Sequence, residues 1–124
     1  MLDRSSLLVL IVEDDLLQRM DLVEELRRAG CNVVEAGSGE DALRHLRSGH
    51  RIDLVLTDIN LGGPLSGWDV AESFRAARPR IPVVYMSGNS VEPERQVAGS
   101  VFLPKPWRSA DILRALPPVD GGAA

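Results

Sequence analysis

The chain has 124 residues, enough for one small domain, and its 44% hydrophobic and 26% charged content suits a globular fold rather than a disordered or fibrous one. Fourteen basic against eighteen acidic residues leave a net charge of -4 with no Lys/Arg block, which argues against direct nucleic-acid binding. A single cysteine, Cys31, excludes an internal disulfide, and the longest apolar run, residues 7–12, is too short for membrane insertion or a signal peptide; the cytoplasm is the expected location.

In chain order, the apolar run 7–12 reads as a first strand, closed at once by Glu13, Asp14 and Asp15. Leu16, Met20, Val23 and Leu26 then recur at helical spacing, Asp15 starts that helix, and Gly30 stops it. Residues 32–35 form a second strand, with Cys31 packed at its start. Ser38 and Asp41 have capping-box spacing ahead of a second helix running to about Arg47; His45 and His50, on it or just beyond it, read as surface residues. A third strand, 54–57, leads into Asp58. Ser66 and Asp69 repeat the capping signal for a third helix, whose start Trp68 covers and whose far end Pro79 limits.

Residues 82–86 make a fourth strand ending at Ser87. The stretch 91–100, interrupted by Pro93 and Gly99, has room for little more than two helical turns. Residues 101–103 are the fifth strand, and Ile112, Leu113 and Leu116 mark a last helix, ended by Pro117 and Pro118. The domain is expected over 7–116, followed by a disordered tail at 117–124. Strands alternating with helices give an α/β class: a doubly wound, five-stranded parallel sheet with right-handed crossovers and a short or irregular fourth helix. Ligands in such sheets gather beyond the carboxyl ends of the strands.

That rim is where the polar residues fall. Glu13 and Asp14 follow the first strand, Asp58 the third, Ser87 the fourth and Lys105 the fifth. Carboxylates brought together repel one another unless a cation compensates, and a few hard oxygen ligands suit Mg²⁺. Beside a metal and an ammonium, an aspartate can act as a nucleophile toward phosphorus. Thirteen of the fourteen basic residues are Arg, and Lys105 is the only lysine. A compact ammonium approaches one phosphoryl oxygen as a guanidinium fork cannot, and Pro104 and Pro106 restrict the backbone that aims it.

The segments LIVEDD, LVLTDINLGG, VVYMSG and FLPKPW, in this order and spacing, resemble the receiver domain of two-component response regulators, in particular its single-domain, chemotaxis-regulator-like form, over residues 7–116. The resemblance implies a flavodoxin-like strand order, 2-1-3-4-5. It implies Asp58 as phosphoacceptor and Mg²⁺ held by Asp14, Asp58 and the Asn60 carbonyl, with Glu13 acting through water. Ser87 and Lys105 would contact the phosphoryl group, Ser87 and Phe102 would form the switch, and Asn60 and Asn89 would set phosphoryl lifetime. The implied donor is a sensor histidine kinase or a histidine phosphotransfer protein. The implied assembly is a monomer or weak dimer that signals as a stand-alone domain through a downstream protein partner.

Three features depart from the family pattern. Gly62 and Gly63 precede a proline six residues after Asp58 rather than four, the span from Ser87 to Lys105 is several residues short, and Phe102 replaces the commoner tyrosine. Trp107 fits either the core or an exposed partner anchor. Two other functions use the same residues: an interaction module that is never phosphorylated, and a Mg-dependent phosphohydrolase passing through an aspartyl phosphate. Against the latter, Asn60 stands where a second aspartate would serve as acid, and no specificity cap is evident.

Overall fold

The computed structural model describes residues 7–88 and 93–116. Five strands, β1 (Leu8–Val12), β2 (Asn32–Ala36), β3 (Leu54–Asp58), β4 (Val83–Ser87) and β5 (Val101–Pro104), pair in parallel in the order β2-β1-β3-β4-β5. The helices are α1 (Leu16–Arg28), α2 (Gly39–Arg47), α3 (Gly67–Ala77) and α4 (Ser109–Ala115). Between β4 and β5 the described residues contain only a 3-10 turn at Pro93–Arg95. Pro93 opens that turn, a position where its missing amide hydrogen costs nothing. Asn89 and the tail 117–124 lie outside the described residues.

Strand burial follows position in the sheet. β3 and β4 are buried at every residue and β1 at all but its first, whereas the edge strands β2 and β5 are mixed. Central strands of a parallel sheet are covered on both faces, so their side chains alternate between two cores. Val9, Ile11, Leu54, Leu56, Val84 and Met86 meet Leu22 and Leu26 of α1 and Ile112 of α4. Leu10, Val12, Val55, Val83 and Tyr85 meet Ala42 of α2 and Val70, Ala71 and Phe74 of α3.

The caps match the residue types. Asp15 accepts a hydrogen bond from the Gln18 amide at 3.0 Å, and Ser66 and Asp69 close a full capping box on α3. The apolar face of α1 is shorter than its periodicity suggested. Leu22, Val23 and Leu26 are buried, but Leu16 and Met20 are 57% and 55% exposed. Arg19, level with them on the helix, is only partly exposed, so the buried face runs through Arg19, Leu22, Val23 and Leu26, and Leu16 and Met20 fall to one side of it. Trp68 is buried against Tyr85, with ring centroids 4.7 Å apart, and Trp107 is partly buried against the α1 side of the core.

Candidate functional site

Parallel pairing puts the carboxyl ends of β1, β3, β4 and β5 on one rim. Val12 lies opposite Thr57 and Asp58 opposite Met86, so the residues just beyond the strands converge. Glu13, Asp14 and Asp58 each offer a carboxylate oxygen, and these lie within 4.8 Å of one another. Glu13 and Asp58 are buried and Asp14 is exposed, so the cluster opens to solvent on the Asp14 side. Glu13 is fixed at both ends of its carboxylate: Oε2 accepts from the Asp15 amide at 3.1 Å and Oε1 from Lys105.

Lys105 is brought in from the end of β5, where its amide donates to the Ser87 carbonyl at 2.9 Å. The Lys105–Pro106 peptide is cis. Its Nζ lies 3.1 Å from Asp58 Oδ2, 3.2 Å from Glu13 Oε1 and 2.6 Å from Gln18 Oε1. One ammonium therefore joins residues separated by up to 92 positions. Burial alone favours the neutral amine, but the hydrogen bond and charge of Asp58, with those of Glu13, outweigh it and hold Lys105 above the ordinary lysine value. It is cationic at neutral pH. Burial pushes the Glu13 carboxyl above the ordinary glutamate value; the Asp15 amide opposes the rise, the charge of Asp58 adds to it, and Lys105 opposes it.

The third strand end is held by α3. Thr57 Oγ1 donates to the Asp58 carbonyl at 2.8 Å, and the Gly67 amide donates to the Ile59 carbonyl at 2.7 Å. A Cβ at Gly67 would lie 2.1 Å from the Asp58 carbonyl oxygen, so only glycine permits this approach. Gly62 has a φ of +71°, and a Cβ there would sit 2.9 Å from Asp14 Oδ2. The Gly62 backbone thus lies against the Asp14 carboxylate. The Asn60 amide points toward Asp58 Oδ1 at 3.4 Å.

Ser87 is buried at the end of β4, and Phe102 on β5 is half-buried, packed toward the α3 side of the core. Gln18, Gly67 and Tyr85 carried no chemical signal in the sequence, yet Gln18 binds Lys105, Gly67 abuts Asp58, and Tyr85 Oη accepts from the Val97 amide at 3.1 Å. Only for Gly67 was a clue present, a glycine directly after the N-cap Ser66.

The response regulator receiver domain family matches residues 9–117. This chain belongs to that family. It is 36% identical over 113 residues to the transcriptional regulatory protein PdtaR of Mycobacterium tuberculosis, covering 87% of this chain and 54% of that protein. It is 32% identical over 93 residues to the autoinducer 1 sensor kinase/phosphatase LuxN of Vibrio harveyi, covering 75% of this chain and 11% of that protein. The chain thus spans about half the length of the first relative and a small part of the second. Among solved structures, a response regulator receiver protein from Sinorhizobium medicae WSM419 has a TM-score of 0.85 at 35% identity, over 88% of this chain and 90% of that one.

Receiver domains are signalling domains of two-component systems, with a general phosphoacceptor role, and they work with histidine kinases or phosphotransfer proteins. The receiver fold carries the acidic pocket found here. Its donors are all hard carboxylate oxygens with one face open to water, a set that fits Mg²⁺. No helix among the described residues is long and apolar enough to cross a membrane.

Proposed function

We propose that this receiver accepts a phosphoryl group on Asp58 from a phosphohistidine of a sensor histidine kinase or phosphotransfer protein, and that the modification changes its affinity for a protein partner. One observation carries the reading: a single lysine ammonium spans the Asp58 and Glu13 carboxylates at 3.1 and 3.2 Å. A carboxylate oxygen of Asp58 forms the new bond to phosphorus while the phosphorus–nitrogen bond of the donor breaks, its electron pair staying on the imidazole. In this reading Lys105 leaves its carboxylate partner for a phosphoryl oxygen, and Ser87 supplies a hydroxyl from the neighbouring strand end.

Asp14, Asp58 and the Asn60 carbonyl would hold Mg²⁺, with Glu13 acting through water; the ion would offset charge on the phosphoryl oxygens. Glu13 also holds the ammonium in register. Ser87 and Phe102 form the switch: drawing the Ser87 hydroxyl toward the phosphoryl group vacates space into which the half-buried Phe102 ring turns. Asn60 and Asn89 would set how fast water removes the group, and the expected setting is the cytoplasm.

The test is intact mass after incubation with Mg²⁺ and a small acyl phosphate, with Asp58→Asn as control. One added phosphoryl group that needs Mg²⁺ and is absent in the variant supports the reading. No adduct with an efficient donor and rapid sampling would leave an unphosphorylated interaction module. Multiple turnover of a phosphate ester in trans would instead point to a phosphohydrolase.

A further inference from the structure

Away from the acidic pocket, two histidines meet on the surface. His45 lies in the last turn of α2, and His50 follows the Ser48 cap and Gly49. In a continuing helix, residues five apart point about 140° apart. Here Gly49, with a φ of +76°, ends the helix and folds the chain back, so that the ring centroids lie 5.6 Å apart. The His50 carbonyl is anchored by Arg78 Nη2 at 2.7 Å, and Ser48 Oγ donates to the His45 carbonyl at 2.8 Å.

We propose that His45 and His50 are the protein ligands of a binding site for Zn²⁺ or a similar late first-row divalent cation, with water completing the coordination. The two Nδ1 atoms are 3.4 Å apart. A tetrahedral ion with Zn–N bonds of about 2.0–2.1 Å holds neighbouring nitrogens about 3.3–3.4 Å apart, so the pair has the spacing of two ligands on one ion. The same separation is long for a hydrogen bond between the rings.

The tautomer also fits. His45 Nε2 lies 3.3 Å from the Glu35 carbonyl oxygen, which only accepts, so Nε2 bears the hydrogen and Nδ1 keeps its lone pair toward His50. A ligating histidine commonly uses its second ring nitrogen in this way, donating to a backbone carbonyl that fixes the ring. His50 takes the matching form by carrying its hydrogen on Nε2, so neither neutral imidazole needs to lose a net proton. His45 and His50 line a surface cavity of about 270 Å³, with room for the waters that complete the coordination. Arg44, which also lines it, is paired with Asp41. Imidazole nitrogen selects Zn²⁺, Cu²⁺ or Ni²⁺ over Mg²⁺, so the site and the all-oxygen pocket prefer different ions. A bound ion would clamp the turn between α2 and β3.

The experiment is calorimetric titration of the full chain with Zn²⁺ in millimolar Mg²⁺, which keeps the acidic pocket supplied with its own ion. About one equivalent of Zn²⁺ should bind, and His45→Gln and His50→Gln should each weaken it at least about tenfold. The double variant should abolish binding, and Asp58→Asn should leave it unchanged. In the unmodified protein, the Nδ1 resonances of both histidines should shift with added Zn²⁺. Absence of binding, binding that survives in the double variant, or binding lost in Asp58→Asn would each overturn the proposal.

Discussion

Replacing Gly67 by alanine tests how closely α3 holds the phosphoacceptor strand. At an unstrained, uncrowded position, Gly→Ala stabilises a protein by about 0.4–1 kcal/mol through the unfolded chain. At Gly67 the added carbon would sit 2.1 Å from the Asp58 carbonyl oxygen and 2.8 Å from Ile59 Cα. Both are backbone atoms, so no side-chain rotation relieves the clash, and α3 must move by roughly an ångström to restore contact distance. Overpacking of this kind costs about 1–3 kcal/mol, and weakening the 2.7 Å bond from the Gly67 amide to Ile59 costs about 1 more. The expected loss is therefore roughly 2–4 kcal/mol, read as a lower midpoint in urea unfolding with unchanged slope. Gly63→Ala is the control, because nothing lies within 4 Å of a Cβ there, and it should be neutral or slightly stabilising. Folded Gly67→Ala should also accept phosphoryl groups more slowly, since Asp58 moves relative to Lys105. Equal stability of the two variants would refute the argument that close approach, not turn conformation, requires Gly67.

Lys105→Arg keeps the charge but replaces a point donor shared among Asp58, Glu13 and Gln18 with a wide planar fork; phosphorylation by a small donor, followed by intact mass, should slow at least about tenfold. Tyr85→Phe removes the hydroxyl that accepts from the Val97 amide, so stability should fall by about 1–2 kcal/mol and hydrogen exchange at Val97 should speed up. The Ser66 amide, then the Ser66 hydroxyl and Arg95, hold the Asp69 carboxyl below the ordinary aspartate value. Its contribution to α3 is therefore complete above the unfolded value of 3.8 and is lost as pH falls from there through the lowered folded value. Urea midpoints measured from pH 7 downward should show an extra acid-side loss in the unmodified protein that Asp69→Asn lacks.

Much of this molecule is legible in local patterns. Uninterrupted apolar runs marked strands covered on both faces, and the Ser-x-x-Asp spacing marked the starts of α2 and α3, because burial and capping are decided within a few residues. The acids at 13, 14 and 58 and the only lysine could be assigned to one rim, since each directly follows a strand of a parallel sheet. What no local pattern carried was the contact itself. That Lys105 reaches Gln18 depends on how α1 lies over the end of β5, and that Gly67 has no room for a methyl depends on how close α3 packs to β3. The exposure of Leu16 and Met20 has the same origin: periodicity shows that a helix has an apolar face, but packing against the sheet decides how that face is rotated. His45 and His50 read as two separate surface residues until the turn at Gly49 set their ring nitrogens 3.4 Å apart. The sequence by itself thus determined the elements, their sheet and the rim where charge collects. Only tertiary packing, acting between residues far apart in the chain, decided which side chains share a pocket and at what distance.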